Sequence, residues 1–184
     1  MTPRTVIAVA FAVAALSASG VARADGQMSL IELERKVAAD YRSIPHVTPE
    51  QLEMAMMTPS MLLLLDARDP EETSVSRLPG AIAIDPDIST GEFLARFGAA
   101  AKDRDVIVYC SVGVRSSKLA TRVREALLAR GARRVANLQG GIFAMHNTGR
   151  SLVDGKGTTD YVHPYSWWWS GYLDFGNLTR YEPR

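Results

Sequence analysis

From Ser29 onward two hydrophobic textures alternate along the chain: stretches with apolar residues at helical spacing, and short blocks in which apolar residues run together. Leu30, Leu33, Val37 and Tyr41 mark one helical face, which ends before Pro45. Thr48 then opens a second helix as its cap, with Pro49 at the first helical position and Gln51 completing a capping box. Leu52, Met56 and Met57 are assigned to its core face. Met61 to Leu65 is a continuous apolar run after Pro59, which predicts a buried strand ending at Asp66. Asp66 and Arg68 fall in the loop beyond it, where an ion pair between Arg68 and Glu72, four residues on, would stiffen the chain. Ala81 to Ile84 predicts the next strand, and Thr90 caps a short helix carrying Phe93, Leu94 and Phe97.

The sharpest change of period lies between Asp105 and Arg130. Val106, Ile107, Val108 and Tyr109 form a β-branched and aromatic run with the look of a strand buried on both faces. Leu119, Ala120, Val123, Ala126 and Leu127 then recur at helical spacing, with Ser116 or Ser117 as the cap and Gly131 as the stop. Arg133 to Leu138 predicts one more strand, and Ile142 to His146 a turn or short helix. Strands alternating with helices imply an α/β domain: an open parallel sheet with helices on both faces.

Cys110 lies where the pattern switches, at the carboxyl end of a strand and against the start of a helix, the place where open α/β sheets bind ligands. Backbone N–H groups of such a turn, with the helix dipole, make a cradle for an anion, and Gly113 lets the backbone fold tightly around it. Arg115 lies close enough in sequence to curl back across the loop. A helix N-terminus and a neighbouring arginine are the surroundings that make a cysteine a nucleophile. The competing reading is a buried structural cysteine, which this placement disfavours.

Cys110-Ser111-Val112-Gly113-Val114-Arg115-Ser116 resembles the active-site loop of the rhodaneses, sulfurtransferases with the pattern Cys-x-x-Gly-x-Arg-Ser. Two further blocks agree. Leu65-Asp66-Ala67-Arg68-Asp69-Pro70-Glu71-Glu72, followed by Leu78-Pro79-Gly80-Ala81, is similar to the family's Asp-x-Arg-x-Pro-x-Glu block and its Pro-Gly-Ala turn. Val135 to Gly141 resembles its strand leading to a Gly-Gly turn. Arg77 stands where the family commonly has His, and Met145 where it often has Trp. The resemblance spans about Thr48 to Val153 and implies the rhodanese-like fold, with Cys110 and Arg115 as catalytic residues. It also implies a substrate-binding loop of Ser111, Val112, Gly113, Val114 and Ser116, with Asp66 and Arg68 supporting it.

The 184 residues suffice for one domain of ordinary size. The formal net charge is +1; setting aside Arg4 and Arg23, 19 of the 21 basic residues face 20 acidic ones, and no basic run stands out. That balance argues against a nucleic-acid partner. Arg4, an apolar run from Val6 to Leu16 and the small-x-small Ala22-Arg23-Ala24 have the form of a cleavable export leader. The run is shorter than the roughly 20 apolar residues that span a bilayer. A lone cysteine makes no internal disulfide, and His46, His146 and His163 have no second ligand at metal spacing, so neither a metal nor another cofactor is implied. The expected layout is a signal peptide over 1–24, a helical extension over 25–47, the rhodanese-like domain over 48–153 and a Trp-rich tail over 154–184.

In that tail Gly155-Lys156-Gly157 reads as flexible, and no strand or helix period fits the residues after it. Trp167, Trp168 and Trp169 cannot all face one core. The tail is expected to wrap back over the domain as packing outside the chemistry; the alternative is a membrane-surface or protein contact through these tryptophans. Its Val162-His163-Pro164-Tyr165 is similar to a block found in some exported rhodanese-like proteins.

The resemblance implies a sulfurtransferase in which Cys110 takes sulfur from a donor such as thiosulfate, with Arg115 helping to bind the donor's negative oxygens, and passes it to a thiophilic acceptor. Phosphatase or arsenate-reductase chemistry, which in related proteins uses a loop one residue longer, is the rival within the fold. A non-catalytic sulfur carrier or partner-binding module is the rival of another class. The leader pattern itself is testable: N-terminal sequencing of the mature protein is expected to begin at Asp25 in an exported, periplasm-like fraction. Recovery in the membrane with residues 1–24 attached overturns that expectation.

Overall fold

The computed structural model describes residues 28–184, so the expected leader and its cleavage site lie outside the described residues. The apolar runs become strands β1 (His46–Val47), β2 (Leu62–Asp66), β3 (Ile82–Ala83), β4 (Asp105–Tyr109) and β5 (Arg134–Leu138). They form one parallel sheet in the order β1-β5-β4-β2-β3, which puts β4 at its centre. The helices are α1 (Leu30–Asp40), α2 (Pro49–Met56), α3 (Pro70–Val75), α4 (Thr90–Ala101), α5 (Val114–Leu128) and α6 (Gly141–Asn147).

Alternation along each strand divides the core into two layers. Leu63, Leu65, Val106, Val108 and Val135 meet Phe93 and Phe97 of α4 and Leu119, Val123 and Leu127 of α5. Leu64, Ile107, Tyr109, Ala136 and Leu138 meet Leu33 and Val37 of α1, Leu52 of α2, and Ile142 and Phe143 of α6. Each such large side chain contributes about 1.5–3 kcal/mol when fully buried. The expected two-sided parallel sheet is therefore the architecture found. At two residues, β1 is too short to show a hydrophobic period, and only its pairing with β5 makes it a strand.

Several local expectations are corrected. The cap of α4 is Ser89, not Thr90, because Glu92 closes a capping box with Ser89; the helix then runs 12 residues and is not short. The α5 helix starts at Val114 after Gly113, ahead of the expected Ser116 or Ser117 cap, because Gly113 takes a φ of 99° that turns the chain directly into the helix. An additional helix, α3, occupies what read as loop. Asp69-Pro70-Glu71-Glu72 starts it with a capping box and a proline, signals that carry no hydrophobic period. Met57 is 83% exposed because it lies past the end of α2, while Met56 is partly buried against the core.

The segment that read as flexible is a β-hairpin of β6 (Leu152–Asp154) and β7 (Gly157–Thr159), tied to Arg77 through Val153. Beyond it Val162, Tyr172 and Leu173 are buried in the same layer as Met145. Trp169 packs against that layer, whereas Trp167 is 76% and Trp168 56% exposed. No helix among the described residues is long and apolar enough to cross a membrane.

One histidine docks this tail on α6 and another shapes it from within. His146 donates from Nε2 to the Asp160 carbonyl at 3.0 Å and its Nδ1 is without a partner; His163 Nδ1 accepts the Tyr165 N–H at 3.0 Å. Burial is the leading reason that both pKa values lie below 6.5. The unfolded chain therefore binds more protons than the folded one just below pH 6.5, and stability falls as pH drops through that window until the folded-state values are reached. The denaturation midpoint is expected to decrease from about pH 7.5 to about pH 5. Relative to that loss, the double variant His146→Gln, His163→Gln should show a flatter profile whatever its absolute stability; an equally steep profile contradicts the assignment.

Candidate active site

The loop from Cys110 to Gly113 joins the end of β4 to the start of α5, between the carboxyl ends of β2 and β5. Cys110 is 2% exposed, with its sulfur at the floor of a cleft of about 120 Å³. The Gly113 N–H points to Sγ at 3.2 Å. The Ser116 hydroxyl lies 3.4 Å from Sγ and 2.6 Å from Asn137 Oδ1, so its single hydrogen is shared between them, the shorter contact being to Asn137. Asn137 Nδ2 in turn sits 3.2 Å from His46 Nδ1. Because His46 Nε2 faces the Tyr41 carbonyl at 3.2 Å, it carries the ring proton, and Nδ1 accepts from Asn137.

The outer side of the loop is held by α6. Ile142 N–H donates to the Cys110 carbonyl at 2.9 Å and Phe143 N–H to the Ser111 carbonyl at 3.0 Å. This approach requires Gly141: a Cβ there would lie 2.3 Å from the Cys110 carbonyl oxygen. The Gly-Gly turn thus has a steric reason, and α6 takes up the loop's carbonyls.

Arg115, in the first turn of α5, is 24% exposed and is held on two sides. Its Nη1 donates to Asp69 Oδ2 at 2.8 Å; its Nη2 donates to Glu72 Oε2 at 2.6 Å and to Ser111 Oγ at 3.0 Å. Ser111 Oγ donates to the other oxygen of Glu72, and that carboxylate also accepts the Asp69 N–H at 3.0 Å, the capping contact of α3. Burial works against the Arg115 charge, but Glu72, the Cys110 sulfur and Asp69 outweigh it, so the guanidinium is held protonated more firmly than in water. The expected Arg68–Glu72 carboxylate pair is not formed. Arg68 instead clasps Asp66 with Nε at 2.9 Å and Nη2 at 2.7 Å, and reaches the Ser76 carbonyl at 2.6 Å. Asp66 also accepts the Tyr109 hydroxyl at 2.6 Å, and burial together with Asp66 keeps that phenol far from ionising. Asp66 and Arg68 therefore brace the floor behind the loop and do not face the cleft.

The cleft is lined by Cys110, Ser111, Val112, Val114 and Arg115 of the loop and first turn of α5, and by Tyr165 and Trp169. Tyr165 and Trp169 come from the tail, which was expected to pack outside the chemistry. Tyr165 lies over Arg115, its ring centroid 4.9 Å from the guanidinium carbon, and Trp169 meets Tyr165 edge-on at 6.2 Å. A larger hollow of about 480 Å³, bordered by Glu34, Gln139 and Asp174, does not include Cys110.

Residues 48–148, from the cap of α2 through α6, match the model of the rhodanese-like domain. The chain belongs to the rhodanese-like family. A sulfurtransferase of Allochromatium vinosum is 30% identical over 114 residues, which cover 62% of this chain and 99% of that protein. A protein of Mycobacterium tuberculosis described as a probable adenylyltransferase/sulfurtransferase, MoeZ, is 35% identical over 99 residues; these are 53% of this chain but only 24% of the relative, so this chain spans about a quarter of its length. Among solved structures, a thiosulfate sulfurtransferase of Pseudomonas aeruginosa aligns with 67% of this chain and 22% of its own, with a TM-score of 0.50 and 22% identity. An As-Sb reductase of Leishmania major aligns with 58% of this chain and 79% of its own, with a TM-score of 0.50 and 18% identity. At such identities these two structures speak for the fold alone.

Within the rhodanese-like domain, the loop residues Cys110 to Ser116 are gathered around one cleft. Asp69, Glu72 and Asn137 entered the site without being singled out for it; the capping box marked Glu72 and a lone amide in an apolar strand marked Asn137. Tyr165 and Trp169 lie beyond the family match, in a segment with no periodic signal.

Arg115→Lys keeps the charge but cannot hold Asp69 and Glu72 with one planar fork. Because Glu72 is buried, the variant is expected to lose on the order of 1–3 kcal/mol of stability in urea denaturation. Parent-like stability would show that the fork does not organise the loop.

Proposed function

We propose that this rhodanese-like chain is a sulfurtransferase that carries sulfane sulfur on Cys110. One observation carries the reading most directly: a nucleophile at the floor of a small cleft, with the Gly113 N–H on its sulfur and the start of the 15-residue helix α5 behind it. In the first half-reaction the Cys110 thiolate attacks the outer sulfur of a donor such as thiosulfate. The donor's S–S bond breaks, sulfite leaves with the electron pair, and Cys110 becomes a persulfide. In the second, a thiophilic acceptor takes the outer sulfur and the electron pair returns to Sγ. The loop N–H groups and the positive end of α5 stabilise the anionic sulfur at each stage.

The sequence alone suggested that Arg115 would bind the donor's oxygens. Its fork is occupied by Asp69 and Glu72, so the reading gives it a positioning role: it holds the loop against α3. No step asks for a metal or an organic cofactor. The reading includes export to a periplasm-like compartment, for which the leader pattern is the support, and exposed Trp167 and Trp168 as the surface for any membrane or protein contact.

Intact-mass spectrometry after exposure to thiosulfate tests this. A gain of one sulfur atom, mapped to Cys110 and discharged by cyanide, is expected. Cys110→Ser should fold normally, gain no sulfur and lose on the order of 10³-fold or more in turnover. Sulfur transfer near the parent level in that variant would remove Cys110 as the carrier.

A further inference from the structure

The cleft has features that the transfer chemistry itself does not require. Among the described residues Arg115 is the only charged one lining it, and both ends of its fork are taken by Asp69 and Glu72, so one cation faces two carboxylates. The guanidinium also lies over the Tyr165 ring. Around the sulfur, apart from Ser111, whose hydroxyl is taken up by Glu72 and Arg115, the walls are Val112, Val114, Tyr165 and Trp169. Beyond the loop that holds the sulfur, a charged acceptor body therefore meets no unpaired cation in the cleft lining, whereas an apolar body meets two aliphatic and two aromatic side chains.

The aromatic wall is also held in place with care. Tyr165 has a φ of 65°, the left-handed region that residues with a side chain rarely adopt. His163 Nδ1 accepts its N–H at 3.0 Å, and the His163 ring is itself fixed edge-on against Tyr181 at 5.2 Å. Trp169 leans on Tyr172, centroids 5.5 Å apart, and Asn147 donates to the Tyr172 carbonyl at 2.8 Å. A tail that served only to cover the core would have no need of a strained tyrosine over Arg115.

We propose that Tyr165 and Trp169 are specificity-determining residues, which select as sulfur acceptor a thiol with an uncharged apolar body over small hydrophilic acceptors. The proposal rests on the sulfur-transfer reading above and names its acceptor class. In the selected step the acceptor thiolate bonds to the outer sulfur of the Cys110 persulfide. The Sγ–S bond breaks, its electron pair returns to Sγ, and the acceptor leaves as R–S–SH with the proton that the outer sulfur carried. The apolar body of the acceptor lies against Trp169 and the edge of Tyr165 while its sulfur reaches the loop.

Two measurements on the full chain separate this proposal from the reading it rests on. In the first, protein loaded with sulfur by thiosulfate is discharged by benzyl thiol or by 2-mercaptoethanol, followed by intact mass. In the second, unloaded Cys110 is alkylated by N-benzyliodoacetamide or by iodoacetamide, which needs no persulfide. The parent is expected to favour the benzyl compound about five- to tenfold in both, as one aromatic contact allows. That preference should fall to near unity in Trp169→Ala and be largely kept in Trp169→Phe; Tyr165→Leu gives the same answer should Trp169→Ala lack a cooperative melting transition. Absence of a preference in the parent, or its persistence in variants with a native melting curve, overturns the proposal. Failure of Cys110 to gain sulfur, with the alkylation preference present and lost in the variants, overturns the transfer reading and leaves the selectivity of the aromatic wall standing.

Discussion

A buried carboxylate must be partnered, and in this protein the partners of one such group assemble the site. Glu72 is buried, and one oxygen or the other receives the Asp69 N–H, the Ser111 hydroxyl and the Arg115 guanidinium. Those three groups belong to the start of α3, the cysteine loop and the first turn of α5. Desolvating a carboxylate costs several kcal/mol unless such bonds replace water. The loop can therefore relax only by breaking a charge-assisted network, and the shape of the cradle is set by satisfying Glu72 as much as by the loop's own sequence.

Behind this network the sheet supplies a second constraint. Asp66 and Tyr109 are register partners on β2 and β4, and Arg68 folds back to clasp Asp66 where those strands end. The Tyr109 hydroxyl, one residue before Cys110, donates to Asp66 and accepts the Leu78 N–H at 3.1 Å. The nucleophile thus comes directly after a side chain locked from both sides. On the opposite flank Asn137 reaches Ser116 at 2.6 Å, so polar groups from β2, β4 and β5 brace the chain on either side of the cysteine loop. Parallel strands end on the same side, which is what lets their neighbours' polar groups meet there.

The tail gives the shared scaffold its individual character. The family match ends at residue 148, yet the wall of the cleft comes from Tyr165 and Trp169. The hairpin of β6 and β7 is tied to Arg77, and Val162 and Leu173 are buried in the layer that holds α6. Anchors on the core side thereby fix a surface segment over the loop. A shared kind of cradle with a separately supplied wall is how one fold can keep its chemistry and change its partner.

What the sequence determined by itself was local and periodic. The run Val106 to Tyr109, the α5 stripe of Leu119, Val123 and Leu127, and the ordered blocks around Asp66, Cys110 and Gly140 established a two-sided parallel sheet with a cysteine loop at its centre. Each of these signals lies within a single helix, strand or loop of the chain, where hydrophobic period and capping chemistry act directly. The tertiary structure decided everything that depends on partners far apart in sequence. Arg115 could be read as a ligand for substrate oxygens until Asp69 and Glu72, 46 and 43 residues away, were found on its fork. The tail could be read as packing until Tyr165 arrived over the same guanidinium. A charged or aromatic side chain takes its role from whichever neighbours desolvate and pair it, and those neighbours are chosen by the packing of distant segments, on which period and spacing are silent.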